Sequence, residues 1–216
     1  MEKKTNKIKD LRFQVLQEAK KHVSDLGWNE KLLIKVQQNL KFKNNEMSVL
    51  FSDGYQTILE MYLDEINKKM KNESKKINLI RLRIHERIRE LIIIRLKIMS
   101  QNKKIISKTF LFLLLPHNYK ISFKILSKTV DEIWFLSGDN STDFNFYSKR
   151  AILASVYSSV MIHFINNQDL EKTIIFLDKQ LKKVSKIPKL KNRINDIVSF
   201  LPKIYKIRNR FLSSKQ

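Results

Sequence analysis

NLIRLRIHERIRELIIIRLKIM, residues 78–99, contains neither glycine nor proline. Together with the residue before it, this stretch repeats apolar side chains every three or four positions: Ile77, Ile80, Ile84, Ile88, Leu91, Ile92 and Leu96. That spacing lines one face of an α-helix, whereas a half-buried strand would alternate every second residue. A long amphipathic helix is expected here, with Arg83, Arg87 and Arg89 on an opposite, solvated face.

The same period extends in both directions. Leu11, Val15, Leu16, Ala19, Val23 and Leu26 form a first stripe that Asp10 can cap and Gly27 can end. A second helix follows Asn29 with Leu32, Leu33, Val36 and Leu40 on one side, and a short third follows Asn45 with Met47, Val49 and Leu50. Three short helices ahead of the turn Ser52-Asp53-Gly54 resemble a helix-turn-helix head. Beyond it come a helix over 55–71 with Ile58, Leu59, Tyr62, Ile66 and Met70 inward, then the stretch 78–99. An apolar helix over 103–115 stops at Pro116, and another covers 121–136. A polar turn after Gly138 offers Ser141 or Thr142 as a cap, with Asp143 in the first turn of a helix reaching about residue 166; a last helix fits 169–185. The fold class is all-α, with about nine helices. Its expected parts are a flexible N-terminus (1–9), a degenerate helix-turn-helix-like head (10–54), a helical body (55–185) and a C-terminal segment (186–216).

That C-terminal segment carries nine Lys and Arg against the single acid Asp196, a net of +8. Leu190, Ile194, Ile197, Val198, Leu201, Ile204 and Tyr205 line one side, flanked by Lys189, Arg193, Lys203 and Lys206. A basic amphipathic helix of this kind lies on an anionic membrane surface or docks on its own domain, and its terminal position favours the membrane.

A formal charge of +22 invites nucleic acid as well as membrane. However, 33 Lys, 27 Ile and 17 Asn against three Ala and three Gly is the skew A+T-rich codons produce, so part of the charge is compositional. The absence of cysteine excludes disulfides and thiolate chemistry. The first residues, MEKKTNKIKDLRFQ, lack the apolar run and cleavage site of a secretory signal, and the longest uncharged run, 151–168, is too polar and short to span a bilayer. His22, His85, His117 and His163 are scattered. Glu18 and His22 stand alone, without the paired Glu-x-x-His spacings of a di-iron bundle, and nucleotide-cradling glycine motifs and nucleophile elbows are absent. Binding rather than catalysis is expected, with no catalytic residue and no metal site.

TVDEIWFLSGDNSTDFNFYSKRAILASVYSS, at the seventh and eighth expected helices, is very similar to a segment of the ubiquinone biosynthesis accessory family. The resemblance continues through GWNEKLLIK, LFSDG, IRLRIHERIRE, FLFLLLPHN and IIFLDKQLKKV, covering most of residues 10–185. It implies a TetR-like helical fold that has lost its DNA-reading role. It further implies a non-catalytic protein without a cofactor, which holds an isoprenoid quinone intermediate as ligand and presents it to the di-iron hydroxylase acting on demethoxyubiquinone.

In that family a surface patch for the hydroxylase includes positions matching Asp131, Asp143, Phe146 and Tyr147. The family usually has Trp where this chain has Phe146, which keeps an apolar anchor and loses the indole donor. Asp143, Phe146 and Tyr147 fall three and four apart, on one face at a helix start, and Asp131 and Glu132 would extend the acidity of the patch. Around the implied cavity Phe110, Leu113, Leu114, Phe123, Leu126, Trp134, Val156 and Phe164 lie on apolar helices.

Expected partners are thus the hydroxylase, an isoprenoid quinone or phospholipid and an anionic membrane surface, with a homodimer left open. The expected location is the bacterial cytoplasm against the inner membrane or, alternatively, the matrix side of the mitochondrial inner membrane. The rival reading is a TetR-like transcriptional regulator. DNA is disfavoured because the turn NLKFKNNEM has no glycine and residues 45–51 have no basic side chain.

Overall fold

The computed structural model describes residues 2–139, 145–167 and 169–185. Among these the chain forms nine α-helices and no strand: α1 (Glu2–Leu26), α2 (Glu30–Leu40), α3 (Asn44–Leu50), α4 (Tyr55–Ser74), α5 (Ile84–Ser100), α6 (Lys103–Leu114), α7 (Tyr119–Leu136), α8 (Asn145–Asn167) and α9 (Leu170–Ser185). Short 3-10 turns at Leu79–Arg81 and Pro116–Asn118 lead into α5 and α7. The all-α class is as the periodicity implied. The 186–216 segment, including the apolar line from Leu190 to Tyr205, lies outside the described residues, as do Ser141, Thr142 and Asp143.

Local chemistry sets several boundaries where the sequence placed them. Asn29 is extended, its side-chain oxygen accepts from the Leu32 amide at 3.1 Å, and its amide nitrogen donates to the Leu26 carbonyl at 2.6 Å. One residue therefore closes α1 and opens α2. After α2, Lys41 takes the left-handed conformation (φ 56), with Lys41 N–H on the Gln38 carbonyl and Phe42 N–H on that of Gln37. This Schellman geometry supplies, without glycine, the turn before α3.

Three expectations change. Helix α1 runs back to Glu2 and Asp10 lies inside it, because EKKTNKIK contains no helix breaker. Val49 on α3 is 82% exposed rather than core. In the 78–99 stretch the helix starts only at Ile84, and Ile77, Ile80 and Ile84 are exposed, Ile80 at 87%. Here the Arg87 guanidinium donates to the carbonyls of Ile80 (3.0 Å), Leu82 (2.8 Å) and Ser137 (3.0 Å). Those carbonyls are satisfied by a side chain rather than by a helical turn, and the Arg83 amide is capped by Glu86 at 2.7 Å. Arg87 is therefore a latch between the α5 entry and the end of α7. Arg89 also leaves the expected solvated face: it pairs in two-pronged fashion with Asp178 of α9, at 2.6 and 2.9 Å. Only Arg83 of the three stays exposed.

Helix α5 is central, packing on α4, α6, α7 and α9. Every residue from Leu91 to Leu96 is buried. A helix buried on all sides must be apolar all round, and LIII meets that condition; Arg95 interrupts it.

The head is tied to the body through Trp28. Its indole N–H donates to the Thr109 hydroxyl of α6 at 2.9 Å, with both residues buried. Replacing Thr109→Val keeps the volume and strands that indole donor, which should cost about 1–3 kcal/mol of unfolding free energy in a urea titration. A change within experimental error would show that the contact does not hold the head.

Candidate functional site

The α6–α7 hairpin turns at Leu115-Pro116, where proline begins a 3-10 turn and the buried Asn118 side chain donates to the Phe112 carbonyl at 2.8 Å. This abrupt reversal splays the two apolar helices from α8 and leaves a cavity of about 400 Å³. Phe110, Leu113 and Leu114 of α6, Phe123 and Leu126 of α7, and Met161, Ile162 and Ile165 of α8 form its walls. Leu114, Leu115, Tyr119, Phe123 and Ile162 also remain exposed, so an apolar rim surrounds the mouth. The polar lining comprises Arg95, Thr129, Tyr157, Ser122 and Ser158. Such a volume and lining suit a small amphiphilic ligand.

The eight residues proposed from sequence for a lipid cavity are not brought together. Phe110, Leu113, Leu114, Phe123 and Leu126 line the cavity just described. Trp134 and Val156 instead line a second cavity of about 550 Å³ with His85, Arg89, Lys149 and Asp178 among its walls. Phe164 is packed in the core. Trp134 lies two turns beyond Leu126 on α7, and Val156 lies on α8 next to Tyr157 but on another face of that helix, so both meet a different space. In the second cavity the Arg89–Asp178 pair raises the arginine pKa above its ordinary value, chiefly through the hydrogen bonds the guanidinium donates to the Asp178 carboxylate. Sequence reasoning missed Arg95, Tyr157 and the rim residues Leu115 and Tyr119, although a lone arginine inside LIIIRLKIM was a legible signal.

The expected partner surface divides similarly. Tyr147 is 73% exposed and Phe146 is half-buried, their rings edge-to-face at 5.2 Å. Asp131 is exposed, but its carboxylate accepts from Arg150 Nε at 2.5 Å, and the Arg150 guanidinium also covers the Phe146 ring. Asp139 nearby is held by Lys149 at 2.8 Å. Of the acidic groups expected there, Asp131 is therefore paired with Arg150 of α8, and Tyr147 is the projecting group. Asp143 lies outside the described residues. Phe135 of α7, one turn beyond Asp131, adds an exposed aromatic ring that the sequence reading passed over.

The histidines are dispersed. His22 shares a polar cluster with Glu18 (3.1 Å) and Asn39 (3.0 Å), in which hydrogen bonds from Lys21, Asn39 and His22 hold the Glu18 carboxyl down at about 2. His163 stacks on Phe176 at 4.3 Å. Among the described residues no group of three His, Cys, Asp or Glu side chains could hold a metal ion.

Residues 119–188, from the start of α7 through α9, match the model of the COQ9 family. The protein named ubiquinone biosynthesis protein COQ9, mitochondrial, from Rattus norvegicus is 28% identical over 197 residues, covering 88% of this chain and 59% of that protein. Its counterpart from Homo sapiens is 26% identical over 197 residues, with coverages of 88% and 58%. The coq9 protein of Schizosaccharomyces pombe is 25% identical over 199 residues, with coverages of 91% and 78%. The chain thus spans little more than half the length of the first two of these relatives. Among solved structures, the TetR transcriptional regulator from Nitrosomonas europaea superposes with a TM-score of 0.64 at 17% identity, covering 82% of this chain and 98% of the other. That likeness establishes the TetR-like fold. The chain therefore has a TetR-like fold, and across α7 to α9 it is similar to the COQ9 family.

Proposed function

We propose that the chain serves ubiquinone biosynthesis as a non-catalytic lipid-binding accessory protein, holding an isoprenoid quinone intermediate between α6, α7 and α8 and presenting it to a di-iron demethoxyubiquinone hydroxylase. The pathway is supported by the names of the relatives. The observation that carries lipid binding is the cavity of about 400 Å³ whose apolar walls open through an exposed rim of Leu114, Leu115, Tyr119 and Phe123. Exposed apolar rims of this size are uncommon on surfaces that face only water. A rim set against a membrane or another protein lets an isoprenoid chain enter without crossing solvent.

The hydroxylase surface in this reading centres on Tyr147 and Phe146, with Asp131 and Arg150 as a paired rim; Asp143, outside the described residues, is assigned to it from the sequence alone. The membrane contact is completed by the basic 186–216 segment. The mitochondrial relatives support a mitochondrial location, which this reading takes to be the matrix side of the inner membrane. No helix among the described residues is long and apolar enough to cross a membrane. The regulator reading draws on the fold alone. It is weakened by α3, whose exposed side chains include Val49 and Glu46 and no cation.

Native mass spectrometry and solvent extraction of the purified chain should release an isoprenoid lipid, and Leu126→Trp, which fills the cavity, should lower its occupancy severalfold while leaving helicity unchanged. Lipid-free protein in both forms would refute the reading. Tyr147→Ala removes an exposed ring at little cost in stability, within about 0.5 kcal/mol; it should weaken capture of the hydroxylase at least tenfold. Undiminished capture would remove Tyr147 from the interface. Truncation after Ser185 should leave the thermal transition in place and reduce sedimentation with phosphatidylserine-containing vesicles. Equal sedimentation would refute a membrane role for the segment.

A further inference from the structure

Arg95 is the largest fully buried side chain in the molecule's described core, at 1% exposure, and it lies on the wall of the α6–α7–α8 cavity. Its Nε donates to the Tyr157 hydroxyl of α8 at 2.7 Å, one Nη to Asn67 of α4, and the other to Thr129 of α7 at a long 3.4 Å. A guanidinium has five N–H donors, so one on each Nη is left over. All three partners are neutral, and among the described residues no carboxylate forms an ion pair with Arg95. A guanidinium stays charged at any physiological pH. Burying it costs several kcal/mol, and neutral acceptors offset that only in part.

The cavity is therefore polarised. Its inner wall carries a cation with spare donors, flanked by Thr129 and Tyr157, which also line the space. Its mouth carries the exposed apolar rim of Leu114, Leu115, Tyr119 and Phe123. A ligand with the opposite polarity complements both ends at once. We propose that the cavity takes a single-chain amphiphile head-first, with an acidic oxygen head, a carboxylate or phenolate, on Arg95 and the hydrocarbon chain leaving through the rim. This rests on the reading of the cavity as a lipid site and adds the chemistry and orientation of the head. An anion on the two spare donors forms the charge-assisted, two-pronged bond for which the planar guanidinium is suited. Head-first seating also buries the head away from solvent, so that handing it to another protein requires the chain to be withdrawn through the α6–α7 mouth.

The experiment is calorimetric titration of the full chain with palmitoleic acid and with its methyl ester, which share a chain and differ in the charge of the head. A synthetic prenylated phenol serves as a third arm, separating a phenolic head from a carboxylic one. The wild-type chain should bind the acid at least tenfold more tightly than the ester, and this preference should collapse as pH falls below the titration of the carboxyl. Arg95→Met, close in volume and uncharged, should bind acid and ester equally, at the wild-type affinity for the ester. Arg95→Lys should retain part of the preference, and it keeps the proposal testable if the methionine variant does not fold. Equal wild-type binding of acid and ester, or a preference that survives in Arg95→Met, overturns the head assignment while leaving the lipid site standing. Failure of every amphiphile to bind, with Leu126→Trp also silent, overturns the lipid site itself.

Discussion

One guanidinium with no carboxylate partner among the described residues sits where four helices meet. Arg95 of α5 reaches Asn67 of α4, Thr129 of α7 and Tyr157 of α8 within a core that is mostly apolar. Hydrogen bonds to a buried cation are directional and costly to leave unmade, so this cluster fixes the rotation of each helix about its axis in a way that interchangeable Ile and Leu contacts do not. Once those rotations are set, the faces of α6, α7 and α8 that cannot close on one another are also set. The cavity is what remains between them.

The two ends of that cavity differ in what they require. The inner end concentrates charge and donors in a low-dielectric surrounding, where electrostatic interactions are strong. The outer end exposes leucine and aromatic side chains whose burial against a lipid chain or membrane returns roughly 25 cal/mol per Å². A TetR-like fold supplies the helical frame, yet fold alone assigns no ligand; what gives this cavity its two unlike ends is the placement of Arg95 and of the Pro116 reversal. The N-terminal helices are tied to α6 by the Trp28–Thr109 hydrogen bond, and α3 carries no basic side chain.

Much of the frame was legible because it depends on neighbours in sequence. Asn29 as a cap, Gly27 as a stop, Pro116 as a break and the 3.6-residue stripes of α1, α2 and α4 all act within one or two helical turns. The site was less legible. Five of eight apolar positions share the cavity, since periodicity identifies an apolar face without saying whether it meets another helix or an empty space. Likewise Asp131 read as a free acid because its partner Arg150 lies 19 positions away.

By itself, then, the sequence determined the all-α class, the helix count, the likeness to a known family and the apolar character of α6 and α7, since each follows from local spacing or from residue identity. Tertiary structure alone decided the rest. It turned residues 77–83 into an exposed turn latched by Arg87, converted the expected arginine face into two structural ties, and buried Arg95 at the wall of a cavity. The reason is the same in each case: an arginine's long side chain takes its role from whatever acceptor comes within reach, and those acceptors, Ser137, Asp178, Asn67 and Tyr157, are brought near only by the packing of α4, α7, α8 and α9 on α5.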